Sequence, residues 1–181
     1  MSLSTVSIHD KTFELFISEE RIQTKVQELG DQLSEDYHGQ SPLFIGVLNG
    51  SFMFAADLMK AINIPSEITF IKVSSYEGME SQGKTKQLIG LKESIEGRDV
   101  VVIEDIVDTG ITMEGIVNEL NNSGAKSVEV ASLLLKPECL QRDVKVKYTG
   151  FEIPEKFVVG YGLDYDGLGR NLKDIYQLKH E

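Results

Sequence analysis

From Ser18 to Tyr37 the apolar positions Ile22, Val26, Leu29 and Leu33 advance by four, three and four, which lines them along one face of a helix. Ser18 is placed to cap that helix, and Glu19 and Glu20 suit the positive end of its dipole. The continuous apolar run Leu43 to Leu48 predicts a strand covered on both faces. Phe52, Ala55, Ala56 and Met59 then return to a helical spacing. Further strands are expected over Ile68 to Val73, Val100 to Ile103, Val128 to Leu135 and Lys156 to Tyr161, with a helix over Ile111 to Asn122. Strands alternating with helices predict an α/β chain with a mostly parallel sheet flanked by helices. Between Val73 and Gln87 the chain is polar and follows neither period, so a lid, an irregular loop and a pair of short antiparallel strands all stay open there. The pattern is less regular from Phe151 to Glu181, where it becomes acidic and glycine-rich.

Length and charge narrow the classes. The 181 residues suit one domain, and 41% hydrophobic with 26% charged residues is the balance of an ordinary globular chain. Acids outnumber bases 29 to 18, giving a net charge of -11, which argues against a nucleic-acid partner because such proteins neutralise phosphates with Lys and Arg. An acidic chain that handles a small polyanion needs a divalent cation between carboxylate and phosphate oxygens, so Mg2+ is expected with any phosphate chemistry. Cys139 is the single cysteine, has no His close in sequence and reads as structural. His9, His38 and His180 are too scattered for a zinc cluster. Met1 to Asp10 lacks a secretory pattern and no segment approaches ~20 apolar residues, so a cytoplasmic protein with no membrane span is expected.

The segment richest in chemistry runs from Val100 to Met113, Val-Val-Val-Ile-Glu-Asp-Ile-Val-Asp-Thr-Gly-Ile-Thr-Met. An apolar strand delivers its carboxyl end into Glu104, Asp105 and Asp108, and a turn of small residues opens a helix, which is where parallel sheets bind ligands. The backbone N–H groups of Thr109 to Thr112 and the two hydroxyls are disposed to cradle a phosphate at that helix start. On pattern alone an acidic strand cap without a ligand stays open. The full string, two acids, two apolar residues and Asp-Thr-Gly-x-Thr, closely resembles the phosphoribosyl pyrophosphate signature of the type I phosphoribosyltransferase family.

The resemblance runs from about Leu43 to Arg170 and is strongest to the family's hypoxanthine-guanine branch. It implies the type I fold over 1–181 as one domain, a core of about 18–150, and a base-binding segment of about 151–181 that largely forms a small hood. Val47-Leu48-Asn49-Gly50-Ser51 resembles the family's pyrophosphate loop, often with a cis peptide at Leu48-Asn49, although many relatives carry Lys where Asn49 stands. Ser75-Tyr76 matches the dipeptide of the mobile lid. Lys136 matches the lysine that bonds the purine O6, Phe157-Val158 the segment that stacks on the base and meets its edge, and Arg170 the arginine near pyrophosphate. Asp108 is implied as general base, Glu104 and Asp105 as ligands of the ribose hydroxyls or of Mg2+, and Asp164 as a further magnesium-associated acid. Thr109, Gly110, Ile111 and Thr112 would hold the 5-phosphate, with Ile111 giving only its N–H where some relatives have lysine.

The implied activity is transfer of phosphoribose to hypoxanthine or guanine in purine salvage, in a homodimer or homotetramer. A xanthine-preferring enzyme and a non-catalytic regulator that binds the same pyrophosphate donor are the competing readings. The regulator would need a nucleic-acid surface that this acidic chain does not offer.

Overall fold

The computed structural model describes residues 4–74, 87–89, 91–92 and 94–179. Two strands, β1 (Thr5–Ile8) and β2 (Lys11–Ile17), form a hairpin ahead of the first helix, α1 (Glu19–Asp36). In α1 the stripe Ile22, Val26, Leu29 and Leu33 is buried as its spacing demands, and the Ser18 side chain accepts from the Arg21 N–H. The backbone then builds β3 (Leu43–Leu48), α2 (Phe52–Ala61), β4 (Glu67–Ser74), β5 (Gln87–Ile89), β6 (Asp99–Val107), α3 (Ile111–Asn122) and β7 (Ser127–Leu135). After a short 3-10 turn at Pro137–Cys139 come β8 (Tyr148–Glu152), β9 (Val158–Val159) and β10 (Ile175–Leu178).

The larger sheet has the order β5-β4-β3-β6-β7-β8, parallel throughout except for the antiparallel β4–β5 pair at one edge. Alternate residues of its strands feed two cores. Phe44, Val101, Ile103 and Leu133 meet α1 and α2 on one face, while Ile45, Val100, Val102 and Val130 meet α3 on the other. Burying each such side chain contributes about 1.5–3 kcal/mol, and Leu33→Ala would cost about 2–5 kcal/mol because nothing fills the gap. Gly30 lets α1 and α2 touch: a Cβ built there would lie 2.5 Å from the Cβ of Ala61.

Where the pattern was strong the elements stand close to their expected limits. β6 runs on through Val107, four residues past the expected Ile103, so Glu104 and Asp105 belong to the strand and not to the turn. β9 is shorter than the expected strand because Gly160 and Tyr161 take φ values of 102° and 48° and turn the chain away. β8 has no clear sequence signature, since Thr149 to Phe151 lie half-buried at the sheet edge.

A second, four-stranded sheet in the order β1-β2-β10-β9 forms the hood. The N-terminal hairpin supplies two of its strands, beside the C-terminal residues expected there. Ile8, Phe13, Val159 and Tyr176 make its small core. It is tied to the larger unit by Asp174, whose Oδ1 accepts from the Glu19 N–H at 2.7 Å and so caps α1 from the hood.

Candidate active site

The carboxyl end of β6 carries two adjacent acids. Glu104 is 9% exposed, and its Oε1 accepts from the Asp105 N–H at 3.3 Å; Asp105 Oδ1 in turn accepts from the Ile106 N–H at 2.9 Å. Burial, and then the neighbouring Asp105 charge, push the Glu104 carboxyl well above the usual carboxylate range. Asp105 is raised by burial as well, against the downward pull of its hydrogen bonds and of the Arg170 charge.

Beyond Val107 the chain turns through Asp108, Thr109 and Gly110 into α3. Gly110 has φ of 77°, and a Cβ there would come within 3.2 Å of Val144 and 3.3 Å of Leu140, so the turn requires glycine. Without a side chain, Gly110 also leaves the start of α3 uncapped by its own residue. The Gln141 N–H fastens the turn by donating to the Thr109 carbonyl at 2.9 Å. A cavity of about 110 Å³ opens here, lined among others by Glu104, Asp108, Thr109, Gly110 and Thr112. It is several times a water's share of liquid volume, about 30 Å³, and a helix start at its wall favours an anion.

Strand register brings Lys136 to the same place. Val107 pairs with Leu135, and the Lys136 N–H donates to the Val107 carbonyl at 3.0 Å, so the side chains just past each strand become neighbours. Lys136 Nζ lies 2.7 Å from Asp108 Oδ2, with the lysine 8% exposed and the Asp108 side chain 47% exposed. Next to them Cys139 has its thiol raised by burial and by the charges of Asp108 and Glu155, which keeps it protonated and fits the structural role expected of it.

The loop after β3 completes the floor. Leu48 and Asn49 are joined by a cis peptide bond, both side chains face outward, and Gly50 lies against Asp105. A Cβ at Gly50 would fall 1.7 Å from Asp105 Oδ2, so any side chain there displaces the acid.

Hood residues approach from the opposite side. Gly162, with φ of 101°, packs on the loop so closely that a Cβ would lie 2.0 Å from the Gly50 carbonyl oxygen. Arg170 donates to the Gly162 carbonyl at 2.7 Å and forms an ion pair with Asp164 at 2.7 Å. Asp164 also accepts from the Gly167 N–H at 2.8 Å. Phe157 is 46% exposed, with ring centroids of Phe13 and Tyr165 at 6.0 and 5.7 Å supporting it from within the hood. Val158 is buried and pairs with β10 on one side only, because β9 is the last strand of its sheet.

The fold therefore groups Glu104, Asp105, Asp108 to Thr112 and Lys136 at one strand end, with Gly50 between Asp105 and the hood's Gly162. Ser75 and Tyr76 lie outside the described residues. Among the described residues no group of three or more His, Cys, Asp or Glu side chains is placed to hold a metal, so Glu104, Asp105 and Asp164 do not form one cage. The donors present are nonetheless carboxylate oxygens, which suit Mg2+; that ion is usually held by one or two carboxylates and by substrate oxygens. Sequence reasoning missed Gly162, Phe13 and Tyr165. The Gly-Tyr-Gly run at 160–162 was a usable signal for the first, while the other two are supports that only the hairpin's pairing reveals.

A family model for the phosphoribosyl transferase domain matches residues 18–166. A hypoxanthine-guanine phosphoribosyltransferase of Staphylococcus aureus is 45% identical over 175 residues, covering 96% of this chain and 98% of that one. A bifunctional TilS/HprT protein of Listeria monocytogenes is 44% identical over 176 residues, which span 97% of this chain and 27% of that protein. Among solved structures, a hypoxanthine phosphoribosyltransferase from Staphylococcus aureus superposes with a TM-score of 0.85 at 46% identity, covering 92% and 91% of the two chains. A hypoxanthine-guanine phosphoribosyltransferase from Bacillus anthracis, solved with a HEPES molecule in its active site, gives 0.82 at 38% identity, with 92% and 97% covered.

Proposed function

The chain belongs to the phosphoribosyltransferase family, and from that premise we propose that it is a purine-salvage enzyme which joins hypoxanthine or guanine to phosphoribose and releases pyrophosphate. The donor is phosphoribosyl pyrophosphate and the products are IMP or GMP. The observation that carries the reading is the pair at the end of β6 and β7, Lys136 Nζ 2.7 Å from Asp108 Oδ2 beside the start of α3.

In the reaction the bond from ribose C1 to the pyrophosphate oxygen breaks and a bond from C1 to purine N9 forms, through a state with positive charge on the sugar. Positioning and electrostatics do most of the work. The turn Thr109 to Thr112 holds the 5-phosphate on backbone N–H groups and hydroxyls. Glu104 and Asp105 orient the ribose hydroxyls. On the purine edge O6 and N7 stand side by side, as Lys136 Nζ and Asp108 Oδ2 do here. Lys136 donates to O6, and Asp108 accepts the N7 proton as N9 becomes bonded. A 6-amino purine would set donor against donor, which selects for 6-oxopurines. Phe157 stacks on the base, and the free edge of Val158 meets its rim. Glu104 and Asp105 at the strand end, and separately Asp164 on the hood, would hold Mg2+ against the donor's oxygens, where the ion would supply positive charge for the leaving pyrophosphate. Arg170 and the N–H groups around Leu48, Asn49 and Gly50 act on the same charge.

Among the described residues no helix is long and apolar enough to cross a membrane, and work in the cytoplasm is part of the proposal. So is assembly into a dimer or tetramer, supported by the apolar side chains of Phe52, Ile68 and Phe70, each at least 36% exposed. A continuous absorbance assay with hypoxanthine, guanine, xanthine and adenine, each with donor and Mg2+, tests the reading. Turnover of the first two above the others is expected; turnover of adenine alone, or of none, overturns it.

A further inference from the structure

The hydroxyl of Tyr161 donates to Asp57 Oδ2 at 2.7 Å. Tyr161 is 1% exposed and holds φ of 48°, a left-handed conformation uncommon for a side chain of its size. It is flanked by two glycines, each pressed on a carbonyl: Gly160 on that of Asp174, where a Cβ would lie 2.1 Å away, and Gly162 on that of Gly50, at 2.0 Å. Asp57 sits on α2, the helix that begins where the Leu48–Gly50 loop ends. Its Oδ2 also accepts from Gln23 of α1 at 2.9 Å, and Lys60 pairs with its other oxygen. Although partial burial opposes it, these partners hold the Asp57 carboxyl below its ordinary value, so it stays an acceptor. Burial, and then Asp57, raise the Tyr161 hydroxyl far above its ordinary range, so it stays a donor.

The bond therefore spans the boundary between hood and core at the residue next to the one that touches the loop. Gly162 gives its carbonyl to Arg170, and Arg170 is paired to Asp164. On the core side, Gly50 abuts the Asp105 carboxylate. We propose that Tyr161 and Asp57 form a clamp that sets the hood's height over the pyrophosphate loop, and that they are positioning residues for the pyrophosphate end of the donor. Neither touches substrate. The clamp fixes Gly162 against Gly50 and thereby fixes where Arg170 and its partner Asp164 stand relative to that loop. The base side of the hood has its own supports, the pairing of Val158 with Gln177 and the packing of Phe157 on Phe13, so the clamp governs the donor and not the purine.

This inference rests on the phosphoribosyltransferase reading, and the test separates the two. Titration calorimetry measures binding of phosphoribosyl pyrophosphate and of pyrophosphate, both with Mg2+, to the wild type, Tyr161→Phe, Asp57→Ala and Asp57→Asn, and steady-state assays give KM for donor and for hypoxanthine. Tyr161→Phe keeps the ring and loses only the hydroxyl, so it should fold, with donor affinity lowered about tenfold. KM for hypoxanthine should stay within about twofold, since the packing under Phe157 is untouched. Asp57→Ala should match Tyr161→Phe, while Asp57→Asn, whose amide oxygen still accepts from the tyrosine, should recover most of the affinity. A merely structural role predicts a lower active fraction with both KM values unchanged, and that result, or equal movement of both, overturns the clamp. Unaltered donor affinity in Tyr161→Phe with a binding-competent wild type overturns the clamp alone. A wild type that binds neither donor nor pyrophosphate overturns the enzymatic reading and the clamp with it.

Discussion

Under the proposed function, the turn from β6 into α3 and the hood that faces it grip a substrate by opposite means. In the turn every group of interest lies between Glu104 and Thr112, the backbone supplies much of the contact, and Glu104 is enclosed while Asp108 stays half exposed. In the hood Phe157 is exposed, and supports come from far away: the Tyr165 hydroxyl reaches Asp10 across 155 positions, and Phe157 rests on Phe13. Electrostatics differ in sign as well. Burial raises Glu104 and Asp105, whereas the Tyr165 hydrogen bond holds the exposed Asp10 carboxyl low. A rigid, enclosed turn suits charge and chemistry; an open, propped surface suits recognition of an apolar base.

If that division is right, the largest loss of turnover comes from the turn. Asp108→Asn should reduce kcat by ~10²-fold or more while circular dichroism and Tm stay near wild type, because the Asp108 side chain is 47% exposed and carries little of the fold. Unchanged kcat would remove the turn's claim to the chemistry. Lys136, from the neighbouring strand end, is paired with Asp108 of the turn. Lys136→Ala removes a charged donor to O6 and should lower the ratio of hypoxanthine to adenine activity by about 10- to 100-fold. An unaltered ratio would mean that selection lies in the hood alone.

On the hood side, Phe157→Ala should raise KM for the purine by about five- to tenfold, the worth of one aromatic contact, with kcat within about threefold. Its 46% exposure predicts little change in Tm. A fall in kcat as large as that of Asp108→Asn would erase the distinction between a chemical turn and a recognising hood.

The same contrast explains what the sequence made legible. The helices and buried strands of the core announce themselves through period and length, and the turn's residues are contiguous, so strand, acids, glycine and hydroxyls appear in one line of text. Even there burial was hidden: nothing in the letters Glu-Asp says that β6 extends far enough to enclose Glu104. The hood is different. β9 is two residues long and β10 four; β10 pairs with a hairpin from the other end of the chain, and β9 pairs with β10. Lys136, Phe157 and Arg170 were nameable only through a family likeness, because a lone lysine, phenylalanine or arginine has no periodic signal. Gly162 matters through a close approach to Gly50 that is tertiary from the outset.

The smallest expected effect is on stability, and it asks whether the turn's burial of acid is a real strain. Burial, and then Asp105, raise the folded pKa of Glu104 above its unfolded value, so between those two values the native state binds more protons than the unfolded chain. Stability is thus greatest below the ordinary glutamate range and is lost as pH rises through the raised value. Glu104→Gln removes that ionisation while its amide oxygen can still accept from the Asp105 N–H, so the variant should melt higher than wild type at pH 7 to 8, by about 2–4 °C for each kcal/mol relieved. As pH falls toward ~4 both proteins carry a neutral side chain at 104 and the two melting curves should converge. Scanning calorimetry across that range decides the matter. A gap that is constant with pH would assign the change to packing, and a variant less stable at neutral pH would show that the enclosed carboxylate is well compensated. Under the proposed function the gain in stability is bought with activity, since the ribose hydroxyls lose a charged partner.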